Sequence, residues 1–156
     1  MTAEAVPAQL HEVVTRARRS RMREHLARLD SLRALREASE LGATQAALAA
    51  QLRVTQPSIS SALKTARDTP RVPEGFSGAS PYEIAERFAT GELTPAEVID
   101  ELARWPYRPG TPSDGVDWLT LEPGEWNDQV VPAWDEGLIT DEIYAEVQRR
   151  RDEIGR

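Results

Sequence analysis

The residues best suited to recognition chemistry lie between Thr44 and Lys64, in the segment TQAALAAQLRVTQPSISSALK. Gln56 carries an amide that can form two hydrogen bonds with the edge of adenine in the DNA major groove. Lys64 and the nearby Arg67 and Arg71 carry cations that can meet phosphate groups. Three further outward positions hold short side chains, which allow close approach to another surface: Pro57, Ser60 and Ser61. The segment therefore favours nucleic-acid binding.

Catalytic and metal-binding chemistry has little support in the sequence. The chain has no Cys, which excludes disulfides, thiolate metal sites and a cysteine nucleophile. His11 and His25 lie far apart among arginines, and no Asp or Glu pair is accompanied by a His or a glycine-rich phosphate loop. We therefore expect no enzyme, no metal and no cofactor.

Two short helices are predicted to hold the recognition residues. Thr44 is suited to cap the first helix and Thr55 the second. The inner positions are Leu48, Ala49 and Leu52 in the first helix, and Ile59, Ala62, Leu63 and Ala66 in the second. Only Arg53 and Val54 lie between the first helix and the second cap, so the turn must be very tight.

The same segment resembles the helix-turn-helix of the phage-repressor and Cro-like regulators, the XRE family. The resemblance covers about residues 30–68 and rests on Thr44-Gln45, Leu48-Ala49, Arg53-Val54, Thr55-Gln56 and Ile59. It implies a homodimer that binds double-stranded DNA at a palindromic operator. Antitoxins of toxin–antitoxin pairs are frequent among the small two-module members of this family.

The resemblance also implies roles for single residues. Gln45, Ser58 and Lys64 would contact the DNA backbone, whereas Gln56, Pro57 and Ser61 would face base edges. The full predicted set is Gln45, Arg53, Thr55, Gln56, Pro57, Ser58, Ser60, Ser61, Lys64 and Arg67. Arg53 departs from the family, which usually has Gly in a left-handed conformation there, and a non-Gly residue adopts it at a cost of roughly 1 kcal/mol. Either the turn differs, or Arg53 is retained as a phosphate ligand.

A longer helical stretch precedes this segment. Residues 8–29 place apolar side chains at helical spacing, and the pattern continues to Gly42. The apolar direction shifts between Ala17 and Met22, where the run Arg16–Arg23 holds five arginines. This run is either a frayed arm or a helical joint. Functionally it is a clamp on the DNA backbone or an arm in the minor groove, or else a solvated helix face.

Charge divides the chain into two halves. Residues 1–73 hold 12 Arg and Lys against 7 Asp and Glu, a net charge of +5, whereas residues 74–156 hold 7 against 19, a net charge of −12. All nine aromatic residues also lie from Phe76 onward. We predict a mainly α protein with a basic DNA-binding domain over residues 1–67, a linker over 68–80 and an acidic, helical protein-interaction module over 81–156.

Four helices are predicted in the acidic module. The first begins with a capping box at Ser80-Pro81-Tyr82-Glu83 and ends near Gly91, and the second begins with the same device at Thr94-Pro95-Ala96-Glu97. The third, from about Gly124 to Glu136, is bent or interrupted by Pro132. The fourth begins after Thr140 and runs to about Glu153. Residues 118–121 are either a short strand or a buried loop.

Two further features of the acidic module bear on its origin and its surface. Gly91-Glu92-Leu93-Thr94 matches Gly137-Leu138-Ile139-Thr140, 46 residues later. This match is either an internal duplication or the common pattern of a helix, a Gly turn and a new helix. The acidic module also holds four tryptophans, Trp105, Trp118, Trp126 and Trp134. We expect them in its core, with one or two exposed as anchors for a partner.

The sequence therefore favours a sequence-specific transcriptional repressor, acting as the antitoxin and autoregulator of a toxin–antitoxin pair. Its acidic module would bind a basic protein partner, with a toxin as the candidate. The alternative is an adaptor or inhibitor whose acidic module binds a cationic partner, with DNA binding incidental. No apolar run approaches the about 18 residues that cross a bilayer, and the N-terminus lacks a signal-peptide pattern. We expect a cytoplasmic, nucleoid-associated protein that does not enter membranes.

Overall fold

The computed structural model describes residues 7–110 and 124–155, which form seven α-helices and contain no strand. The helices are α1 (Ala8–Glu40), α2 (Gln45–Leu52), α3 (Gln56–Asp68), α4 (Pro81–Ala89), α5 (Pro95–Arg104), α6 (Glu125–Asp135) and α7 (Asp141–Ile154). The chain divides into two compact units, Met1–Arg71 and Val72–Arg156. The predicted mainly α class is confirmed. No helix among the described residues is both long enough and apolar enough to span a membrane.

The helix α1 is a single element of 33 residues. Neither Gly nor Pro occurs within it, so nothing in its sequence breaks the hydrogen-bond ladder. The run Arg16–Arg23 is continuous helix and is neither a frayed arm nor a joint. The change in apolar direction separates Leu10 and Val13, which are exposed, from Leu26, which is completely buried. The helix ends at Glu40, and Gly42 follows in the left-handed conformation (φ +98°).

The core of the N-terminal unit lies where α3 packs on both α1 and α2. Its buried cluster consists of Leu35, Leu48, Ala49, Ile59 and Leu63, with Ala38, Ala43 and Ala62 packed at its edge. The predicted inner positions are confirmed except for Leu52, which is 53% exposed. Leu52 is the last residue of α2, where the chain already leaves the helix for the turn.

The segment that precedes α4 is fastened to α5. The ring of Phe76 meets Trp105 edge to face at 4.9 Å. The backbone N–H of Ser77 donates to Glu101 Oε2 (2.8 Å) and its hydroxyl to Oε1 (2.7 Å). This differs from the expected linker over residues 68–80, because Asp68 still belongs to α3 and Phe76 and Ser77 are part of the C-terminal unit.

In the C-terminal unit, α4 packs on α6 and α5 packs on α7. Its most buried aliphatic side chains are Ile84, Val98, Leu102, Val130, Ile139 and Val147. Gly91 and Gly137 are both left-handed (φ +89° and +77°). Their N–H groups donate to Phe88 and Trp134 at 3.0 and 2.9 Å. The two turns thus share one geometry, and the helices on equivalent sides of them pack on each other.

The predicted helix caps are present, with one difference. Thr94 and Glu97 form the full capping box. The Ser80 hydroxyl accepts the N–H of Glu83. The Glu83 carboxylate accepts the backbone N–H of Ala79 (2.9 Å), whereas a full capping box would use the N–H of Ser80, one residue later.

The third helix of the C-terminal unit continues through its proline. Pro132 lies inside α6, which runs on to Asp135. Trp105 is buried, whereas Trp126 and Trp134 are half-buried. The predictions for Trp118 and residues 118–121 lie outside the described residues.

Candidate nucleic-acid interface

The turn between α2 and α3 is tight and left-handed. Thr44 and Thr55 cap the two helices, with their side chains accepting the N–H groups of Ala47 (3.1 Å) and Ser58 (3.3 Å). Arg53 has φ +56° and ψ +42°, and it is the one described non-Gly residue with positive φ. The turn therefore keeps the geometry that usually selects Gly, although Arg stands in its place.

The outer face of α3 carries short polar side chains. Ile59, Leu63 and Ala66 are buried on the inner face. Gln56, Pro57, Ser58, Ser60, Ser61, Lys64 and Arg67 are all exposed. The first turn of α3 contains no acidic residue. An anionic surface can therefore approach this face without meeting a carboxylate at the start of the helix.

Not every predicted residue is equally free to make contacts. The hydroxyls of Thr55 and Ser58 are hydrogen-bonded to each other at 2.7 Å. Each hydroxyl can still make further hydrogen bonds, because it has one donor and two acceptor lone pairs. Gln45, in the first turn of α2, is half-buried rather than exposed. Thr55 and Ser58 thus act as a cap as well as candidate contact residues.

A cleft of about 370 Å³ lies between the end of α1 and two residues of the predicted set, Gln45 and Arg67. Its lining is Arg36, Ser39, Glu40, Gln45, Leu63, Arg67 and Arg71. Arg36 and Glu40 were not predicted from the sequence. Their four-residue spacing shows that they share a face of α1, but not that this face meets the start of α2 and the end of α3.

Hydrogen bonds hold two of the three arginines of this cleft. Arg36 Nη1 donates to the carbonyls of Ala66 (2.8 Å) and Thr69 (2.7 Å) at the end of α3. Arg71 forms a two-point ion pair with Glu40. Its hydrogen bond holds the pKa of the Glu40 carboxyl below the usual value. Arg67 has no carboxylate partner among residues 7–110 and 124–155.

The C-terminal unit presents a second candidate surface, which we call the aromatic row: Tyr107, Trp126, Tyr144 and Trp134. Successive ring centroids lie 5.1, 5.7 and 4.3 Å apart, and Trp134 stacks on Tyr144 at an interplanar angle of 14°. All four rings are half-buried. Such rings combine a large apolar area with polar tips, which is typical of protein interfaces.

Charged groups flank the aromatic row. The guanidinium of Arg151 lies over Trp126 (4.1 Å) and Tyr107 (4.6 Å), a cation–π arrangement. The indole N–H of Trp134 donates to Asp141 (2.6 Å). Burial, together with the neighbouring Glu125, raises the pKa of Tyr107 despite the opposing effect of Arg151. The row thus already accommodates one cation and has a carboxylate at its other end.

No family model, no curated protein and no solved structure matches this chain. The resemblance to the XRE regulators therefore stays a prediction from its residues. No group of three or more His, Cys, Asp or Glu side chains is arranged to hold a metal ion in the described part of the chain.

Proposed function

We propose that this protein binds double-stranded DNA sequence-specifically and represses transcription, with α3 as the helix that enters the major groove. The observation that carries the proposal is the exposed outer face of α3. It offers one amide, small side chains and cations on a rigid helix that is held from behind by α1 and α2. A helix of this kind fits the groove, whose width admits an α-helix.

We expect two kinds of contact from these side chains. Gln56, Pro57 and Ser61 face base edges, where Gln56 pairs with adenine and Pro57 contacts a thymine methyl group. The backbone phosphates are contacted by Gln45, Arg53, Ser58, Lys64 and Arg67. Thr55 and Ser60 complete the surface. Base contacts set the sequence, and phosphate contacts set the position of the helix on the duplex.

A single α3 spans too few base pairs to define a unique site, so we propose that two copies act together. Two recognition helices in a symmetric dimer read half-sites one helical turn apart, about 34–36 Å. The expected operator is therefore a palindrome. Measuring the stoichiometry of the complex on such a site, against a single half-site, tests the dimer.

We further propose that the C-terminal unit binds a basic protein, with a toxin as the candidate, so that the whole chain is an antitoxin and autoregulator. The aromatic row supplies apolar anchors, and the net charge of −12 in residues 74–156 attracts a cationic partner. The experiment is a pull-down with the native chain, followed by identification of both bound DNA and bound protein.

A second candidate is an adaptor or inhibitor that acts through the C-terminal unit alone. The observation that favours it is the same acidic, aromatic surface, which does not depend on α3. The two proposals differ in the Gln56→Ala variant. If the variant retains the partner and the biological effect but loses DNA binding, the protein is the adaptor. Loss of repression in that variant identifies the regulator.

A further inference from the structure

The cleft between the end of α1, the start of α2 and the last turns of α3 has a positively charged lining. Three guanidinium groups line it, from Arg36, Arg67 and Arg71, against one carboxylate, from Glu40. Its lining therefore carries a net charge of +2. The cleft also lies at the N-terminus of α2, through Gln45, where backbone N–H groups and the helix dipole favour negative charge.

The three arginines are held in different ways. The two bonds from Arg36 to Ala66 and Thr69 use only one of its three nitrogens, so its planar group is fixed while other donors remain. Arg71 is occupied by Glu40, which acts as an internal anion. Arg67 is exposed and without a carboxylate partner in the described residues. An incoming anion therefore meets a fixed Arg36 and an unpaired Arg67, and it competes with Glu40 for Arg71.

The size of the cleft decides which anions fit. Its volume of about 370 Å³ is about twelve times the roughly 30 Å³ that one water molecule occupies in the liquid. A tetrahedral phosphate with an attached sugar fits this space, and arginine forks match phosphate oxygens in pairs. A chloride ion leaves most of this volume unfilled and has no pair of oxygen atoms to match a guanidinium fork.

We propose that this cleft is a phosphate-binding site formed by Arg36, Gln45, Arg67 and Arg71, with the carboxylate of Glu40 as the competing internal anion. The phosphate is either a phosphodiester of the DNA backbone or the phosphate of a free small molecule. The first source rests on the proposed function, whereas phosphate binding itself does not.

The test titrates the isotope-labelled full chain with inorganic phosphate and follows the arginine Nε–H signals by NMR, with chloride at matched ionic strength as the reference. Saturable shifts at Arg36, Arg67 and Arg71 are expected only with phosphate. Arg67→Gln and Arg71→Gln should each weaken phosphate binding about tenfold, because a hydrogen bond between charged groups is lost. Arg19→Gln is the matched control, since it removes an exposed arginine of α1 outside the cleft.

Glu40→Gln gives the opposite test, because it frees Arg71 without removing a guanidinium, and it should tighten phosphate binding. The proposal is overturned if chloride causes the same shifts, if the Arg67 and Arg71 variants bind phosphate like the Arg19 variant, or if Glu40→Gln weakens binding. Both arginines are exposed, so these variants should keep the fold, and the wild-type titration needs no variant.

Duplex DNA separates the two sources of the phosphate. If Arg71→Gln weakens DNA binding about tenfold more than Arg28→Gln does, the site holds a backbone phosphodiester; Arg28 is an exposed arginine of α1 outside both the cleft and the run Arg16–Arg23. If the two variants bind DNA equally while Arg71→Gln has lost phosphate binding, the site serves a free phosphorylated molecule. A chain that binds phosphate here but no DNA would contradict the proposed function and leave this site standing.

Discussion

At the scale of single residues, the proposed interface separates side chains that read bases from those that hold the backbone. Gln56 and Lys64 are both exposed on α3, but their chemistry differs. An amide can match one base through two hydrogen bonds, whereas a lysine attracts any phosphate. Substitutions at these two positions should therefore change different properties of DNA binding.

Gln56→Ala should weaken binding to the preferred sequence by about 1–3 kcal/mol and relax the preference at one base position. Lys64→Ala should weaken binding to all sequences similarly. Competition binding with preferred and scrambled duplexes measures both effects. Gln51→Ala, an exposed glutamine of α2 outside the predicted interface, is the control. Equal loss of preferred and scrambled binding in Gln56→Ala would assign base reading to another residue.

Arg53 is predicted to affect both DNA binding and stability. Its left-handed conformation costs a non-Gly residue about 1 kcal/mol, so Arg53→Gly should raise the free energy of unfolding by up to that amount. Arg53→Ala keeps the strain and loses the charge. Both variants should bind all DNA sequences less tightly if Arg53 contacts phosphate. Thermal unfolding and binding assays on the pair separate the two effects, and unchanged DNA affinity in both variants would remove Arg53 from the interface.

The sequence predicts local features of these residues well. The caps at Thr44 and Thr55 and the inner and outer faces of α3 depend on near neighbours, and the structure confirms them. The conformation of Arg53 was left between two alternatives, because a tight turn can be closed in several ways. The bonds of Arg36 join residues 30 or more positions apart, and no local pattern encodes such a contact.

At the scale of elements, the helices are predicted better than the side-chain contacts that hold them together. The beginnings of α2 to α5 follow from their capping residues. The carboxylate of Glu83 was expected to complete a capping box, but it serves a buried ion pair with Arg87 at 2.9 Å. Arg87 also reaches Glu92 at 2.7 Å. The network ties α4 to the turn that follows it.

Removing Arg87 should destabilise the C-terminal unit strongly. Glu83 and Arg87 are only 6% and 5% exposed, so Arg87→Ala removes the cationic partner of a buried carboxylate. The expected loss in the free energy of unfolding is about 3–5 kcal/mol. Arg149→Ala, which breaks exposed ion pairs of α7 with Glu146 and Glu153, is the control and should change stability little. Urea unfolding that shows equal effects for the two variants would contradict this view of the network.

At the scale of the whole molecule, charge and aromatic content predicted two regions of different character. The boundary between the two compact units lies two residues before the division used for the charge count, but Val72 and Pro73 are uncharged. The net charges of the units are therefore still +5 and −12, and the two units differ as expected. The boundary between the units, after Arg71, falls inside the predicted linker over residues 68–80. The sequence did not show that Phe76 and Ser77 belong to the C-terminal unit, since they lie in a Pro- and Gly-rich stretch. Phe76 and Ser77 contact Trp105 and Glu101, which lie more than 20 positions away in the sequence.

Separating the units should separate their binding properties. Residues 1–71 should bind duplex DNA with a log–log salt slope of about −0.9 for each phosphate neutralised. Residues 72–156 should bind no duplex DNA, because their charge repels it, and should retain the protein partner. Circular dichroism of each fragment checks that it is folded. Recovery of the partner by residues 1–71 alone would move the protein-binding site to the N-terminal unit.

The most direct test of the central claim is selection of binding sites from a random duplex pool by the full chain, followed by sequencing of the bound DNA. The account predicts enrichment of an inverted repeat whose half-sites lie one helical turn apart. Gln56→Ala should lose the preference at one position of each half-site, and Gln51→Ala should keep the whole pattern. A pool that stays random with the folded wild-type chain would contradict sequence-specific DNA binding through α3.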